Sequence, residues 1–260
     1  MCRSVAAHSG NGQIEALILQ LSQGNILDLL ALSPPGWGGN LLRGLFNSVL
    51  IAAGAYSIGI MVGIAGAFGK LYGGPVLRDL LELYTTIVRA VPELVLILLL
   101  YFAGTDLINR LLEAFGYQRI DINGLVAGIC VLGIVQGAYS TEVIRGAILA
   151  IPQGQIEAAR AYGMSPGLLL RRITLPAMLP FAIPGLANLW LIATKDTALL
   201  AIVGFNELTQ ETRTAASTTK AYFTFFLVAG ALYLLLTLFS NVIIARVEKW
   251  ARRGMHVESH

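Results

Sequence analysis

The sequence predicts an all-α membrane protein, and three observations lead to that fold class. The 260-residue chain is 56% hydrophobic and only 13% charged, which leaves too few charged side chains to cover a soluble surface. Its mean hydropathy is +0.71. Long uncharged runs recur along the chain, and charged segments separate them. Because roughly 20 apolar residues cross a bilayer core as a helix, we expect about five transmembrane helices.

The uncharged runs divide the chain into three parts. Residues 1–40 form an N-terminal segment, 41–253 a transmembrane domain and 254–260 a short tail. Polar stretches at 105–123 and 205–220 are predicted to be loops. We place the spans at about 44–69, 80–104, 122–144, 178–204 and 221–245.

The N-terminal segment has no signal-peptide pattern, because a single Arg3 precedes a polar stretch instead of an apolar core. Residues 14–32 are apolar but interrupted by polar side chains, which is typical of a helix lying on the membrane surface. The two cysteines, Cys2 and Cys130, provide neither a disulfide framework nor metal-ligand spacing.

A charged, helix-forming insert at 157–176 interrupts the apolar runs, with the sequence EAARAYGMSPGLLLRRITLP. Residues 156–162 favour a first helix, and Gly163 is placed to take the left-handed conformation that ends it. Ser165 and Pro166 suit the N-cap and first turn of a second helix. The insert therefore predicts a helix-turn-helix outside the hydrocarbon.

Two further features complete this predicted loop, which covers about 145–177. Pro176 is expected to stop its second helix. Glu157 and Arg160 lie one turn apart on the first helix, where they can pair.

The spacing of this insert resembles the EAA loop of the membrane subunits (permeases) of ABC importers. Glu157, Ala158 and Ala159 are followed by Gly163 six residues after the glutamate, and then by Pro176. The flanking motifs are similar to the polar amino-acid branch of that family, most of all to its histidine/lysine/arginine and opine (octopine/nopaline) permeases. These motifs are RAVPE at 89–93, YSTEVIRG at 139–146, KDTAL at 195–199 and GFNEL at 204–208.

The resemblance implies the type I ABC importer permease fold in a bacterial inner membrane, and a chain that is not itself an enzyme. It implies three kinds of partner: a dimer of ATP-binding subunits that hold ATP and Mg, a second permease chain (homologous or a copy), and an extracytoplasmic solute-binding protein. The imported substrates would be polar, in particular cationic, amino acids or opines. The residues that would couple the loop to the ATPase are Glu157, Ala158, Ala159 and Gly163, with Ser165 and Pro166 shaping the second helix.

Nucleotide hydrolysis by this chain is not expected. The stretch ending in Gly69 and Lys70 fails the phosphate-loop pattern, because Ile64 and Leu71 stand where a glycine and a Ser or Thr are required.

Several ionisable residues fall within or near the predicted spans, where such groups are functional candidates. Arg89 and Glu93 lie four residues apart, so we expect Arg89 to form a structural pair; Glu93 lies deeper and is also a candidate for the translocation path. Glu142 and Arg145 are expected to pair at the entrance to the loop. Lys195 lies roughly 13 Å deep at a rise of about 1.5 Å per residue.

Lys195 requires a partner from another element, because adjacent Asp196 would point away on a helix. A packing ion pair and a place on the translocation path both suit it. Glu207 and Glu211, in a predicted outer loop, could dock a partner or form a solvated face.

The distribution of Lys and Arg sets the expected orientation. Ten of these residues fall on the loop side and six on the other, so the positive-inside rule places the EAA loop and the C-terminus in the cytoplasm and the N-terminus outside.

Other function classes are less consistent with the sequence. A membrane-embedded enzyme would need a catalytic constellation, and the three histidines all lie in the terminal segments. An ATP-independent channel would have no use for a loop that docks an ATPase. A structural membrane subunit of another transport complex remains open.

Overall fold

Helices form the framework of the computed structural model, which describes residues 26–119 and 123–252. The predicted surface helix at 14–32 lies largely outside the described residues, as does the tail at 254–260. The α-helices are α1 (Ile26–Leu29), α2 (Gly38–Tyr72), α3 (Pro75–Ala90), α4 (Glu93–Ala114), α5 (Gly124–Leu149), α6 (Gln153–Ala161), α7 (Pro166–Leu169), α8 (Leu175–Asp196), α9 (Leu208–Thr219) and α10 (Tyr222–Ala251).

Five helical segments of the described residues are long and apolar enough to cross a membrane, which confirms the predicted fold class. They are α2, α4, α5, α10 and the continuous segment Pro166–Val203, which contains α7, a π turn, α8 and a final 3₁₀ turn (Thr197–Val203). Since the spans alternate in direction, the bundle has one end near α6, called here the hairpin end, and an opposite far end.

Helix α5 lies at the centre of the bundle, with 61% of its most apolar window buried against at most 33% for the other spans. Small residues let α2 approach its backbone closely. A Cβ atom on Gly63 would lie 2.4 Å from the Ser140 Cβ, and one on Gly59 would lie 2.7 Å from the Gln136 Cβ. Such spacing leaves no room for a side chain, so the glycines of α2 determine how closely the two spans pack.

The prediction of a second span at 80–104 is wrong. The chain forms two helices there, because Val91 is extended (φ −92°, ψ 138°) and Pro92 follows it. Proline supplies no N–H to the helix and disfavours helical backbone in the residue before it. The spanning helix therefore begins at Glu93 and continues to Ala114, beyond the predicted loop boundary at residue 105.

The prediction of a loop at 205–220 is also wrong, because most of this stretch forms α9. Its threonines bond to the preceding turn of the helix; the Thr212 hydroxyl, for example, donates to the Leu208 carbonyl over 2.6 Å. Ala215 and Ala216 are fully buried in an apolar cluster with α2 and α10. Tertiary packing thus outweighs the weak helix preference of a Thr-rich segment.

Glu207 is fully buried, so its predicted exposure to a partner or to solvent is wrong. Its carboxylate caps α9 by accepting from the Thr209 and Gln210 amides at 2.8 and 2.7 Å. It also accepts from the Tyr233 hydroxyl at 3.1 Å and from the Ser48 hydroxyl at 3.3 Å. Burial raises the pKa of the Glu207 carboxyl, and the two amide bonds partly offset this. Glu207 thereby connects α9 to α2 and α10.

An ion network connects α2, α3 and α5 at the hairpin end. The buried Lys70 Nζ lies 2.6 Å from Glu82 Oε2, 2.5 Å from Glu142 Oε1 and 2.7 Å from Thr85 Oγ1. The second Glu142 oxygen accepts from Arg145 at 2.8 Å. The predicted pairing of Glu142 with Arg145 is therefore confirmed, and Lys70 is a third member that the sequence did not indicate.

We predict that Gly63→Ala destabilises the protein by about 1–3 kcal/mol, because the new methyl group would overlap Ser140. Gly230→Ala, in α10, is the matched control, since its Cβ meets nothing within 4 Å. Thermal unfolding in mild detergent would measure both variants. Equal midpoints would contradict the proposed role of the α2–α5 contact.

We predict that Lys70→Met costs about 3 kcal/mol, because it leaves Glu142 partly buried with Arg145 as its remaining cation. Arg110→Met breaks the exposed pair with Asp106 and should cost less than about 1 kcal/mol. The same melting experiment would compare them. A Lys70→Met protein as stable as Arg110→Met would show that the buried network does not brace the fold.

Candidate functional site

Residues 153–174 form a helical hairpin that projects from the ends of α5 and α8. Helix α6 is its first arm, and Gly163 ends the turn after it with φ +74°, which confirms the predicted left-handed conformation. Pro166 begins α7 as predicted. Ser165 occupies the N-cap position, but its side chain makes no capping bond; its carbonyl accepts from the Leu169 amide at 2.9 Å.

The two sides of the hairpin differ in exposure. Ala159 is 3% exposed, and Ile156 packs against the apolar cluster formed by the ends of α2, α5 and α8. Glu157 and Ala158 are exposed on the outer side. The hairpin is therefore anchored to the spans on its inner side and open to another protein on its outer side.

The suggested pairing of Glu157 with Arg160 is not found among the ion pairs of residues 26–119 and 123–252. Both side chains are exposed, and Arg160 borders a cleft of about 540 Å³ between the hairpin and the end of α2.

The prediction that Pro176 stops the second helix is wrong. Residues Leu170–Thr174 form a π turn, and Pro176 falls in the first turn of α8, where proline is tolerated. The wider π turn accommodates the missing N–H and the proline ring. The second arm of the hairpin is thus continuous with the fourth span.

A polar cluster lies where α4, α5 and the far end of α8 meet, and it contains Glu93, Gln136, Tyr139 and Asp196. The Gln136 amide donates to Asp196 Oδ2 over 3.4 Å. Glu93 interacts electrostatically with both Tyr139 and Asp196. Three of these side chains are half-buried and Gln136 is fully buried. Two carboxyl groups, those of Glu93 and Asp196, therefore lie close enough to interact with each other.

Cations lie at the edge of this cluster. Arg89 acts electrostatically on Tyr139, and Lys195 acts on Asp196. Both cations are exposed, and neither forms an ion pair within the described part of the chain. The predicted pairing of Arg89 with Glu93 is therefore wrong, because the break at Pro92 separates their helices. Lys195 likewise has no packing partner of the kind expected.

Helix α5 contains two buried polar atoms without a hydrogen-bond partner among the described residues. They are Oε1 of Gln136, which belongs to the cluster, and Oγ of Ser140, which faces α2. They lie on α5 one turn apart. Buried polar atoms without partners are rare and usually indicate a structural or functional requirement.

Sequence reasoning did not identify Asp196, Tyr139 or Gln136 as site residues. Asp196 accepts from the Gln136 amide, a contact across 60 residues of the chain that no local pattern indicates. Tyr139 is the first residue of the motif at 139–146 and lies one turn before Glu142. No spacing rule distinguishes it from a packing residue.

Comparison with known proteins agrees with this architecture. The family described as "Binding-protein-dependent transport system inner membrane component" matches residues 55–253. The nopaline transport system permease protein NocQ of Agrobacterium fabrum is 43% identical over 231 residues, covering 88% of this chain and 98% of the relative. The histidine/lysine/arginine/ornithine transport system permease protein HisQ of Escherichia coli is 38% identical over 214 residues, covering 82% and 94%.

A solved structure of an amino acid ABC transporter with histidines has a chain of the same fold, with a TM-score of 0.71 and 28% identity over 82% of this chain and 94% of that one. The family match, the relatives and the five-span fold with its projecting hairpin lead to one conclusion: this chain belongs to the inner membrane components of binding-protein-dependent transport systems, as a non-catalytic, multi-pass permease subunit of an ABC importer.

Proposed function

We propose that the hairpin couples this permease to a separate ATP-binding subunit, which holds ATP and Mg. The observation that carries the proposal is the continuity of the hairpin's second arm with α8, the helix that ends at Asp196. A rigid element that leaves its outer side exposed suits a groove in another protein. The exposed Glu157, Ala158 and Gly163 would form the contact, and Ser165 and Pro166 would shape the second arm. Ala159, expected from the sequence to belong to this contact, is 3% exposed and would instead anchor the hairpin to the spans.

Movement of the docked hairpin would be transmitted directly to α8, and it would change the position of Asp196 relative to the other side chains of the polar cluster. ATP binding would bring two ATPase subunits together, and with them the hairpins of this chain and of a second permease, either homologous or a copy. The spans would then open toward an extracytoplasmic solute-binding protein, and hydrolysis would restore the inward-facing state. This is a rigid-body transition of the known hinge and shear type.

The charge asymmetry of the termini supports one orientation of the chain. The last turns of α10 carry Arg246, Lys249 and Arg252 at the hairpin end, where positive charge favours the cytoplasm. The N-terminus and α9 would then lie outside.

The charges around the polar cluster fit a polar amino acid or opine with a cationic group. Glu93 and Asp196 would attract the cationic side chain, and Arg89 and Lys195 lie where they could attract a carboxylate. Glu93 and Lys195 are thus our candidates for the translocation path. The names of the relatives, which cite nopaline and histidine/lysine/arginine/ornithine, support the same substrate class.

We predict that Gly163→Val abolishes capture of the ATPase and ATP-driven uptake, because a β-branched residue is strongly disfavoured at φ +74°. Gly146→Val is the matched control, since both sites have nothing within 4 Å of a new Cβ and Gly146 is helical. A mild-detergent pull-down read by mass spectrometry would compare the two. If Gly163→Val retained the ATPase as wild type does, the coupling role of the hairpin would be rejected.

We predict that Glu93→Gln lowers uptake of arginine about tenfold more than uptake of a neutral amino acid carried by the same complex, which corresponds to about 1.4 kcal/mol. Asp79→Asn, on the exposed side of α3, removes a carboxylate away from the cluster and should leave the ratio unchanged. Uptake of radiolabelled substrates into vesicles would measure it. An equal loss of uptake for both substrates would show that Glu93 does not recognise the positive charge of the substrate.

A further inference from the structure

The two acids of the polar cluster form a hydrogen bond with each other. The Asp196 carboxyl bonds to the Glu93 carboxyl and accepts from the Gln136 amide over 3.4 Å. Glu93 also bonds to the Tyr139 hydroxyl. Neither acid forms an ion pair within the described part of the chain. A carboxylate can only accept, so two carboxyl groups share a hydrogen bond when one of them carries a proton.

The depth of the pair in the membrane favours that proton. The seven-residue 3₁₀ turn Thr197–Val203 separates Asp196 from the far end of its span. At about 2.0 Å per residue this distance is about 14 Å, which places Asp196 near the middle of a hydrocarbon core about 30 Å thick. Two adjacent negative charges are costly at this depth, and their repulsion favours a pair that retains one proton.

The charged groups around the pair do not replace the proton. Lys195, on α8, acts on Asp196, but its effect is smaller than that of Glu93. Arg89, at the end of α3, acts on Tyr139. Both cations are exposed, and water weakens the attraction of an exposed charge. The contact between the two carboxyl groups is therefore the strongest charge interaction at Asp196.

A buried acceptor without a donor completes the site. Gln136 is 0% exposed, and its amide donates to Asp196, while its Oε1 lacks a hydrogen-bond partner among the described residues. Buried polar atoms of this kind are rare. The ionised pair and Gln136 Oε1 together offer only acceptors on the side away from the Gln136 amide. A guanidinium or ammonium group has only donors, so it is complementary to the site once the proton has left.

We propose that Glu93 and Asp196 hold one proton between them when the site is empty, and that a cationic substrate displaces this proton on binding. The second half of this proposal rests on the function proposed above. The cationic group donates to both carboxylates and to Gln136 Oε1, and the displaced proton passes to water in the translocation path. One positive charge replaces another, so the net charge of the site is the same before and after binding.

Infrared difference spectroscopy tests the shared proton without any substrate, because a protonated carboxyl has a C=O stretching band that a carboxylate lacks. The purified complex near neutral pH is compared with complexes that carry Asp196→Asn or Glu93→Gln. Carboxyl groups common to both complexes cancel, the buried Glu207 among them. Each variant alone should remove the band of about one protonated carboxyl, because the two acids share a single proton. Asp79→Asn, exposed on α3, should remove none.

Isothermal titration calorimetry tests the displacement. Arginine is titrated into the membrane complex, without its solute-binding protein, in buffers that differ in their enthalpy of ionisation. We expect release of about one proton per arginine bound, and an affinity that rises by up to about tenfold per pH unit, because a higher pH favours binding that releases a proton. Asp79→Asn should behave as wild type does. Asp196→Asn and Glu93→Gln should release no proton at any arginine concentration.

The outcomes separate the two halves of the proposal. If wild type lacks the protonated-carboxyl band, or if the band survives either single variant, the shared proton is overturned even when arginine binds. Arginine binding without proton release would overturn the displacement. If arginine does not bind at all, the proposed substrate class fails and the displacement with it, whereas the infrared difference still decides whether the pair holds a proton.

Discussion

The close contact between α2 and α5 is the constraint on which the other parts of the structure depend. Lipid surrounds the spans with a medium as apolar as their own side chains, so burial of apolar area does not by itself bring them together. Gly59 and Gly63 instead allow the two backbones to meet, and Gln136 and Ser140 fill the space opposite them. Helix α5 is thereby fixed at the centre, and both the Lys70 ion network and the polar cluster of Glu93 and Asp196 are formed against it.

The ionisable side chains near the spans fall into two groups. Some are fully paired inside the protein and stabilise the fold, and others are incompletely paired and form the polar cluster. Lys70 meets two carboxylates and a hydroxyl within 2.7 Å, and Glu207 meets four donors. Their charges are therefore satisfied inside the fold. Glu93 and Asp196 meet one another, a phenol and an amide, with cations at the edge. A cluster with incomplete internal pairing is the better candidate for contact with a charged solute.

The hairpin and the polar cluster belong to the same continuous element. The π turn before Pro176 preserves the connection where proline would otherwise end it. A helix that is connected in this way transmits displacement without depending on a flexible joint.

The sequence by itself determined the class of protein, the number of spans and the hairpin. Hydrocarbon excludes unpaired backbone and free charge, so uncharged length alone identifies a span, and the conformation of Gly163 follows from its own backbone and its neighbours. Only the tertiary structure decided which charges meet. The break at Pro92 places Arg89 and Glu93 in different helices, and Glu207 is a buried cap of α9 instead of a surface residue. These contacts depend on residues that are distant along the chain, and a local sequence pattern cannot predict where such residues lie in space.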